Sequence, residues 1–215
     1  MEVLWATLHA HPSAFGGATV TEDSIVLAHD LGTSGVKSSL VADGTAEIAS
    51  MDSRFTTRFP KNGWAEQDPS DWWDGVIQNT KNLVAARPEI AAKVRGIGVC
   101  GQMLGCVPVG ADGEALTPSM IHSDSRSTQQ FQLIADSIGP VEVYRTTGNI
   151  LDPKSTLCKI LWLKMNRPEI YRKTEKFLQS KDFIVSKLTS NIDTTDFSDA
   201  SHAQLMEIRS GKYTV

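Results

Sequence analysis

The sequence lacks any run near the roughly 18 consecutive apolar residues that a membrane-spanning helix needs. It also lacks an excess of basic residues, because 21 lysines and arginines stand against 25 aspartates and glutamates, for a net charge of −4. This balance, with no basic run, argues against a surface that binds nucleic acid. The 215 residues, 40% of them hydrophobic, are enough to bury the core of one large domain or two small ones.

Cysteine is scarce as well. The three cysteines, Cys100, Cys106 and Cys158, form neither a paired disulfide framework nor a spacing that ligates a metal. We therefore expect reduced and mostly buried thiols, which are typical of a cytoplasmic protein.

The first 23 residues contain a Gly-Gly pair and scattered small residues, but no basic start followed by an apolar segment. They therefore do not form a secretory signal. We expect residues 1–23 to form a loosely ordered tail. His9 and His11 are predicted to be solvated and not to bind a metal, because no third ligand of suitable spacing accompanies them.

The most informative stretch covers residues 25–40, whose pattern predicts two short strands joined by a tight glycine turn. Gly32 and Gly35 are expected to permit positive φ and to let a ligand approach the backbone. Thr33 and Ser34 add hydroxyl groups to the N–H groups of the turn. Such a turn can cradle a phosphate group.

Two charged residues flank this turn. Asp30, at the end of the first strand, is placed to hold a magnesium ion through water, and Lys37 can supply a compensating positive charge. An ordinary glycine turn between two apolar strands is the alternative that shape alone leaves open.

The rest of the chain predicts an α/β sheet with an antiparallel start. A third strand is expected over 46–51 and 54–57. A helix should begin at Pro69 after an Asp68 N-cap and end at the Arg87-Pro88 step. A buried fourth strand over 94–103 then follows as a crossover to a parallel neighbour. Further expected elements are strands at 106–109 and 119–122 with a turn at Asp112-Gly113, and helices at 129–138, 155–166 and 180–188.

The segment from Asp30 to Ser34 with Lys37 resembles the first phosphate motif of the actin-like ATPases, most closely that of the FGGY carbohydrate kinases. Further stretches match that family's pattern in the right order, and together they cover about residues 24–213. This span resembles the N-terminal, sugar-binding domain of a xylulokinase-like enzyme. The matching stretches are 63–69, 101–103, 124–126, 159–164 and 195–201.

The resemblance implies an actin-like (ribonuclease H-like) ATPase domain, with a mixed sheet and helices. It also implies a phosphotransferase that moves the γ-phosphate of ATP, with Mg²⁺, to a hydroxyl of a small-molecule ketose or polyol. The hairpin residues Asp30, Gly32, Thr33, Ser34 and Lys37 then bind the phosphates and the metal.

In the resembled family a second group of positions lines the sugar pocket, and here they are Gln102, Met103, Leu104, His122 and Asp124. Xylulokinases typically carry histidine at the position of Leu104 and tryptophan at that of His122. One polar contact is thus lost and one aromatic wall is smaller. We therefore expect a substrate other than, or in addition to, D-xylulose.

Several of these residues also have purely structural interpretations. Gln102 and Met103 can pack beneath the following loop, and His122 can be a satisfied histidine at a strand end. Asp124 and Arg126 can form a surface ion pair worth under about 1 kcal/mol. The remaining cases are Trp64, Trp72 and Trp73, expected in the core, and Asp196 and Ser198, expected to cap a turn before a helix at Ser201.

The resemblance places the general base, an aspartate, beyond Val215, and the ATP-binding C-terminal domain there too. We therefore expect residues 24–215 to be an incomplete domain that lacks its last strand. The isolated chain should be inactive and prone to aggregate through an apolar sheet edge. The alternatives are a truncated sugar-binding or dimerising module, for which a homodimer is possible, and another actin-like ATPase, which the ordered motifs disfavour.

Overall fold

Alternating apolar residues place the first strands against a core, as the sequence predicts. In the computed structural model, which describes residues 24–42 and 44–213, strand β1 (Ile25–Leu31) pairs antiparallel with β2 (Gly35–Ala42). Strand β3 (Ala46–Arg54) pairs antiparallel with β2. The predicted extension of β3 to residue 57 is wrong, because Arg54 already pairs with Gly35, the first residue of β2. The predicted tail, with His9 and His11, lies outside the described residues.

The first long helix forms where its capping signals predict it. After strand β4 (Glu66–Gln67), helix α1 (Pro69–Ala86) begins with proline at its first position. The Asp68 side chain accepts a hydrogen bond from the Ser70 N–H at 3.0 Å. This satisfies one N–H group that the helix itself leaves without a partner. Helix α1 ends before Pro88, and the single turn α2 (Pro88–Ala91) follows.

Strand β5 (Val94–Gly101) returns parallel to β1, which confirms the predicted crossover and gives the strand order β3-β2-β1-β5. The prediction that β5 is buried is wrong. Ile97 is 50% exposed, and Cys100 is also exposed. The reason is position: among the described residues β5 pairs only with β1, so its other side is a sheet edge.

The second half of the described chain is mainly helical. The three predicted helices are confirmed to within two residues, and the strands predicted at 106–109 and 119–122 are confirmed over 107–109 and 119–120. No described helix is both long and apolar enough to cross a membrane. The elements are β6 (Val107–Val109), β7 (Ser119–Met120), α3 (Thr128–Ser137), α4 (Pro140–Thr147), α5 (Thr156–Asn166), α6 (Pro168–Lys173), β8 (Lys176–Leu178), α7 (Ser180–Thr189), α8 (Phe197–His202), β9 (Met206–Glu207) and β10 (Lys212–Tyr213).

Short antiparallel pairs connect these elements. Strand β4 pairs with β7, β6 with β8, and β9 with β10. The predicted turn at Asp112-Gly113 is confirmed, because the Gly113 N–H donates to the Gly110 carbonyl at 2.9 Å. Gly113 has φ +75°, a conformation that favours glycine.

The main core lies between the hairpin sheet, α1 and α7. Trp72 of α1 is fully buried and meets Phe183 of α7 edge to face, with ring centroids 6.4 Å apart. Leu31 and Val36, at the two ends of the hairpin turn, belong to the same cluster. The expectation of a core tryptophan is confirmed for Trp72. Burial of the residues that flank the turn fixes the turn at the edge of this core.

Asp196 caps α8, as predicted, by accepting a hydrogen bond from the Asp199 N–H at 2.9 Å. Ser198 lies inside the helix and not in its cap. The ammonium of Lys181 on α7 contacts the carboxylates of Asp182, Asp196 and Asp199. Burial alone would lower the pKa of Lys181, but these hydrogen bonds outweigh it and raise the pKa. One largely buried cation thus joins α8 to α7.

The exposed edge generates a test of self-association. Ile97→Lys should keep the chain monomeric to a higher concentration, because an edge lysine opposes strand pairing between copies. The free energy of unfolding should change by no more than about 0.5 kcal/mol, since half of the side chain is already in solvent. Val84→Lys is the control, because Val84 is 47% exposed but lies on α1. Equal effects of both variants in sedimentation velocity would contradict an edge mechanism.

Candidate functional site

The predicted phosphate hairpin is a tight turn between β1 and β2. The Gly32 N–H donates to the Gly35 carbonyl at 2.9 Å, and Thr33 and Ser34 between them are exposed. Two exposed hydroxyl groups thus stand at the tip, beside backbone N–H groups. This arrangement suits an anion with several oxygen atoms.

The structure contradicts one of the two roles expected of the turn glycines. Neither Gly32 nor Gly35 has positive φ, so that part of the prediction is wrong. A Cβ at Gly35 would lie 2.4 Å from the Ser53 carbonyl oxygen, whereas one at Gly32 would lie 3.4 Å from its nearest neighbour. Gly35 is therefore required because β3 approaches the backbone of β2 closely.

Asp30, Lys37 and Cys100 share one face of the sheet beside the turn, since both Lys37 and Cys100 are cross-strand partners of Asp30. Asp30 is exposed, and its Oδ1 accepts a 3.4 Å contact from the Cys100 thiol. Although Cys100 as a residue is exposed, partial desolvation of its thiol, followed by the charge of Asp30, raises the pKa of Cys100 to about 12. The thiol is therefore protonated and unreactive at neutral pH.

Lys37 does not point its ammonium at Asp30 or at the turn. Its Nζ lies 2.9 Å from Glu47 Oε2 on β3, and both side chains are about half exposed. The hydrogen bond between them raises the pKa of Lys37 and lowers that of Glu47. Because an exposed pair of this kind is worth under about 1 kcal/mol, Lys37 can leave Glu47 for a phosphate at little cost. Its phosphate role stays a prediction.

Asp30 fits a magnesium ion held through water. Mg²⁺ in phosphate-transfer sites is commonly bound by one or two carboxylates together with substrate phosphates, and it retains several waters. Within 24–42 and 44–213, no cluster of three or more histidine, cysteine or acidic side chains could enclose a metal. A single exposed carboxylate beside a phosphate turn therefore matches a metal that arrives with the nucleotide.

Gln102 begins the loop after β5 and adjoins the hairpin. Its backbone N–H donates to the Leu31 carbonyl at 2.8 Å. Its side-chain Nε2 donates to Gln67 Oε1 at 2.7 Å, while its Oε1 is buried and has no hydrogen-bond partner in the described part of the chain. Because a buried acceptor without a partner is costly, this oxygen is suited to accept a hydrogen bond from a ligand hydroxyl.

Lys159 holds the two segments that carry the other predicted sugar residues. Its ammonium donates to the Leu104 carbonyl at 2.6 Å and to the Ile121 carbonyl, just before His122, at 2.8 Å. Leu104 has φ +60°, an uncommon conformation for leucine. Lys159 is fully buried, and burial lowers its pKa to about 8. The motif over 159–164 contains this lysine, yet its role could not be deduced from sequence.

Met103 and His122 lie at the surface of this region. Met103 is 48% exposed, and His122 is half-buried with an Nδ1 that has no partner among the described residues. Burial, followed by the charges of Lys159 and Lys154, lowers the pKa of His122. The imidazole is therefore neutral at pH 7 and offers one donor and one acceptor. The alternative of a satisfied histidine does not fit this nitrogen.

Asp124 is fully buried and its carboxylate is already occupied. Its oxygens accept hydrogen bonds from the Ala65 N–H at 2.7 Å and from the Arg126 guanidinium at 2.6 to 3.0 Å. Arg126 also reaches Glu66 and lies 3.6 Å from the centre of the Trp64 ring. The pair is thus buried, and its interpretation as a surface pair is wrong. A contact between Asp124 and substrate stays a prediction, against which this saturation argues.

Two open clefts of the described chain lie away from the predicted site residues. An open groove of about 670 Å³ runs between β3 and α1, and one of about 410 Å³ lies beside Trp64 and Ser123. Neither is lined by the hairpin residues or by Gln102. We place the candidate site by its chemistry, because a carboxylate, a phosphate turn and an unpaired acceptor converge there.

A model of the FGGY family of carbohydrate kinases, N-terminal domain, matches residues 25–215. The chain belongs to this FGGY family. Its curated FGGY relatives include xylulose kinases from Escherichia coli (strain K12), 31% identical over 83% of this chain, and from Bacillus subtilis (strain 168), 33% identical over 85%. Gluconokinase of Bacillus subtilis (strain 168) is 26% identical over 86% of this chain. The chain spans only 36% of each of these relatives.

Solved structures confirm the predicted actin-like fold of the FGGY kinases. A xyloylose kinase from Brucella ovis matches with TM-score 0.82 and 30% identity over 88% of this chain and 38% of its own. A gluconate kinase from Lactobacillus acidophilus matches with TM-score 0.81 and 25% identity, over 89% and 38%. Relatives with two differently named sugar substrates therefore share this FGGY fold.

The close approach at Gly35 gives a test of the turn. Gly35→Ala should lower the free energy of unfolding by about 1–3 kcal/mol, because its Cβ would overlap the Ser53 carbonyl. Gly32→Ala is the matched control and should change it by no more than about 1 kcal/mol. Urea denaturation measures both values. A smaller loss for Gly35→Ala than for Gly32→Ala would contradict this packing.

Lys159 gives a test by pH. Its folded pKa of about 8 lies below the ordinary lysine pKa of 10.5, so between these values the unfolded chain binds more protons. The free energy of unfolding should therefore rise with pH in this window, by up to about 1.4 kcal/mol per unit. Lys159→Met removes this term, so the difference between parent and variant isolates it. A difference independent of pH from 8 to 10 would contradict the lowered pKa.

Proposed function

We propose that this chain is the sugar-binding part of a carbohydrate kinase, which transfers the γ-phosphate of ATP to a hydroxyl of a ketose or polyol. The observation that carries the proposal is the meeting of two strand ends. Asp30 and the phosphate turn follow β1, and Gln102 with its unpaired acceptor follows the parallel strand β5. Ligands of α/β sheets bind at the carboxyl ends of such strands.

In this proposal, one group of residues binds the phosphates of MgATP and another group binds the sugar. The turn N–H groups and the Thr33 and Ser34 hydroxyls bind phosphate oxygens, and Asp30 orients the metal through water. Magnesium supplies charge neutralisation on the phosphates when it is bound. Gln102 and His122 hold the sugar by its hydroxyl groups. Positioning of this kind supplies most of the catalysis in phosphoryl transfer.

The general base is not assigned to a described residue. Asp124, the one carboxylate among the predicted sugar residues, already accepts hydrogen bonds at both of its oxygens. A base must be free to accept the proton of the sugar hydroxyl. Its location in a segment beyond Val215 stays a prediction from the resemblance. A place in the cytoplasm stays a prediction from the use of cysteine, and a homodimer stays a possibility.

A non-catalytic sugar-binding module is the second candidate. One observation favours it. Gln102 Oε1, among the predicted sugar residues, is an unpaired acceptor in the described chain, whereas Lys37, among the predicted phosphate residues, is already paired with Glu47. The two candidates differ in whether the chain binds MgATP. Titration of the chain with MgATP therefore decides between them.

Asp30→Asn should weaken binding of MgATP by about tenfold or more, because the neutral amide loses its attraction for the metal. Affinity for a sugar should be unchanged, since other residues form that half of the site. Asp52→Asn is the matched control, because Asp52 is also exposed and is the cross-strand partner of Lys37. Isothermal titration measures both ligands. Equal losses in the two variants would contradict a specific role for Asp30.

The substrate prediction depends on Leu104. A substrate hydroxyl buried against leucine loses about 1–3 kcal/mol of hydrogen bonding, so a panel of ketoses and polyols should not single out D-xylulose. Leu104→His should improve D-xylulose binding by about fivefold or more, and histidine tolerates the positive φ of this position. Thermal-shift titration with the panel measures this. A parent that strongly prefers D-xylulose would refute the prediction.

A further inference from the structure

Gln67 is a buried glutamine whose carboxamide makes every hydrogen bond that it can. It is 1% exposed. Its Nε2 donates to the Thr33 carbonyl and to Thr57 Oγ1, both at 2.8 Å. Its Oε1 accepts from Trp72 Nε1 at 3.0 Å and from Gln102 Nε2 at 2.7 Å. An amide has two donors and two acceptor sites, so none is left over.

The partners of Gln67 determine which way both amides face. The Thr33 carbonyl can only accept, so the nitrogen of Gln67 must face it. The indole N–H of Trp72 can only donate, so the oxygen of Gln67 must face that side. Gln102 must therefore present its nitrogen to Gln67. This leaves its own oxygen, the buried atom without a partner, for a ligand.

The hydrogen bonds of Gln67 to the Thr33 carbonyl and to the Gln102 amide connect the phosphate turn with the predicted sugar residues. The Thr33 carbonyl lies at the tip of the phosphate turn after β1, and the Gln102 amide begins the loop after β5, so the two groups come from different strand ends. We propose that Gln67 is a positioning residue that couples the phosphate turn to the sugar-binding amide of Gln102. This inference rests on the proposed function, because coupling needs a ligand at each end.

The physical mechanism is a displacement passed through one amide. An anion bound at the turn reorients the Thr33 peptide, whose carbonyl is held by Gln67 Nε2. Because the carboxamide of Gln67 is rigid and is also hydrogen-bonded to Gln102, a displacement of its nitrogen moves its oxygen and the Gln102 amide with it. Bonds in such buried chains also polarise one another. A second route exists along the backbone, from Leu31 O to the Gln102 N–H at 2.8 Å, and the experiment must separate the two.

The experiment uses the 215-residue chain labelled with nitrogen-15, MgATP as the probe, and nuclear magnetic resonance as the readout. Four groups report: the backbone amides of 32–35, the indole N–H of Trp72, the side-chain amide of Gln102, and the backbone amides of 103–105 that follow it. In the parent, MgATP should shift all four. In Gln67→Met, which keeps the volume but removes the hydrogen bonds, the turn amides should still shift and the Gln102 signal should not.

Thr57→Val is the matched control. It is isosteric and removes one hydrogen bond of Gln67 while leaving the bonds to Thr33 and Gln102. The Gln102 shift should persist in this variant. If Gln67→Met does not fold, Gln102→Met breaks the far link alone: the Trp72 indole should still respond to MgATP, and the amides of 103–105 should lose their response.

The outcomes separate this inference from the proposed function. A Gln102 shift that persists in Gln67→Met, or a response at 103–105 that persists in Gln102→Met, assigns the coupling to the backbone and overturns the inference alone. Turn amides that do not respond to MgATP in the parent overturn the proposed kinase function, and the inference with it. Loss of the Gln102 shift in Gln67→Met, but not in Thr57→Val, supports both.

Discussion

The parallel pairing of β1 with β5 is the constraint on which the candidate site depends. It aligns Asp30 with Cys100 and Leu31 with Gly101, so the two strands end together. A Cβ at Gly101 would lie 2.8 Å from Ser180 Oγ and 3.3 Å from Leu31 Cβ, because α7 begins directly against this strand end. The phosphate turn and the Gln102 loop adjoin because β1 and β5 are paired, although about 70 residues of sequence separate the carboxyl ends of these two strands.

Buried polar groups hold the loops of the site, which contain little regular structure. Lys159 joins the carbonyls of two loops, Gln67 joins the turn to the Gln102 loop, and the Asp124–Arg126 pair joins β4 to the segment after β7. Such groups are costly to bury, and removing one partner of a buried ion pair typically costs about 3–5 kcal/mol. Each is satisfied by several hydrogen bonds, so each favours one arrangement of its loops over others.

The hairpin strands β1 and β2 and the edge strand β5 differ in how much of their surface is exposed. The hairpin end packs α1 and α7 against the buried residues of β1 and β2, whereas β5 has no second strand partner among the residues described. An exposed apolar residue such as Ile97 on a free edge is a site for pairing with another segment or another copy.

The sequence by itself determined the features that depend on near neighbours. These are the hairpin, the capped helix α1, the crossover to β5 and the ordered motifs of the FGGY family, because strand period, caps and turns are local. It could not determine the burial of β5, which depends on how many strands the sheet has. Nor could it show that the Ser53 carbonyl leaves no room for a side chain at Gly35, or that Lys37 forms an ion pair with Glu47.

Only the tertiary structure decided which polar groups are already satisfied. Asp124 and Gln102 both lie in family motifs and looked equivalent as pocket residues. The fold saturates the carboxylate of Asp124 through Ala65 and Arg126, and it leaves Gln102 Oε1 without a described partner. Most of these contacts join residues that are distant along the chain, so no local pattern records them. Packing, not residue type, decides which side chain is available to a ligand.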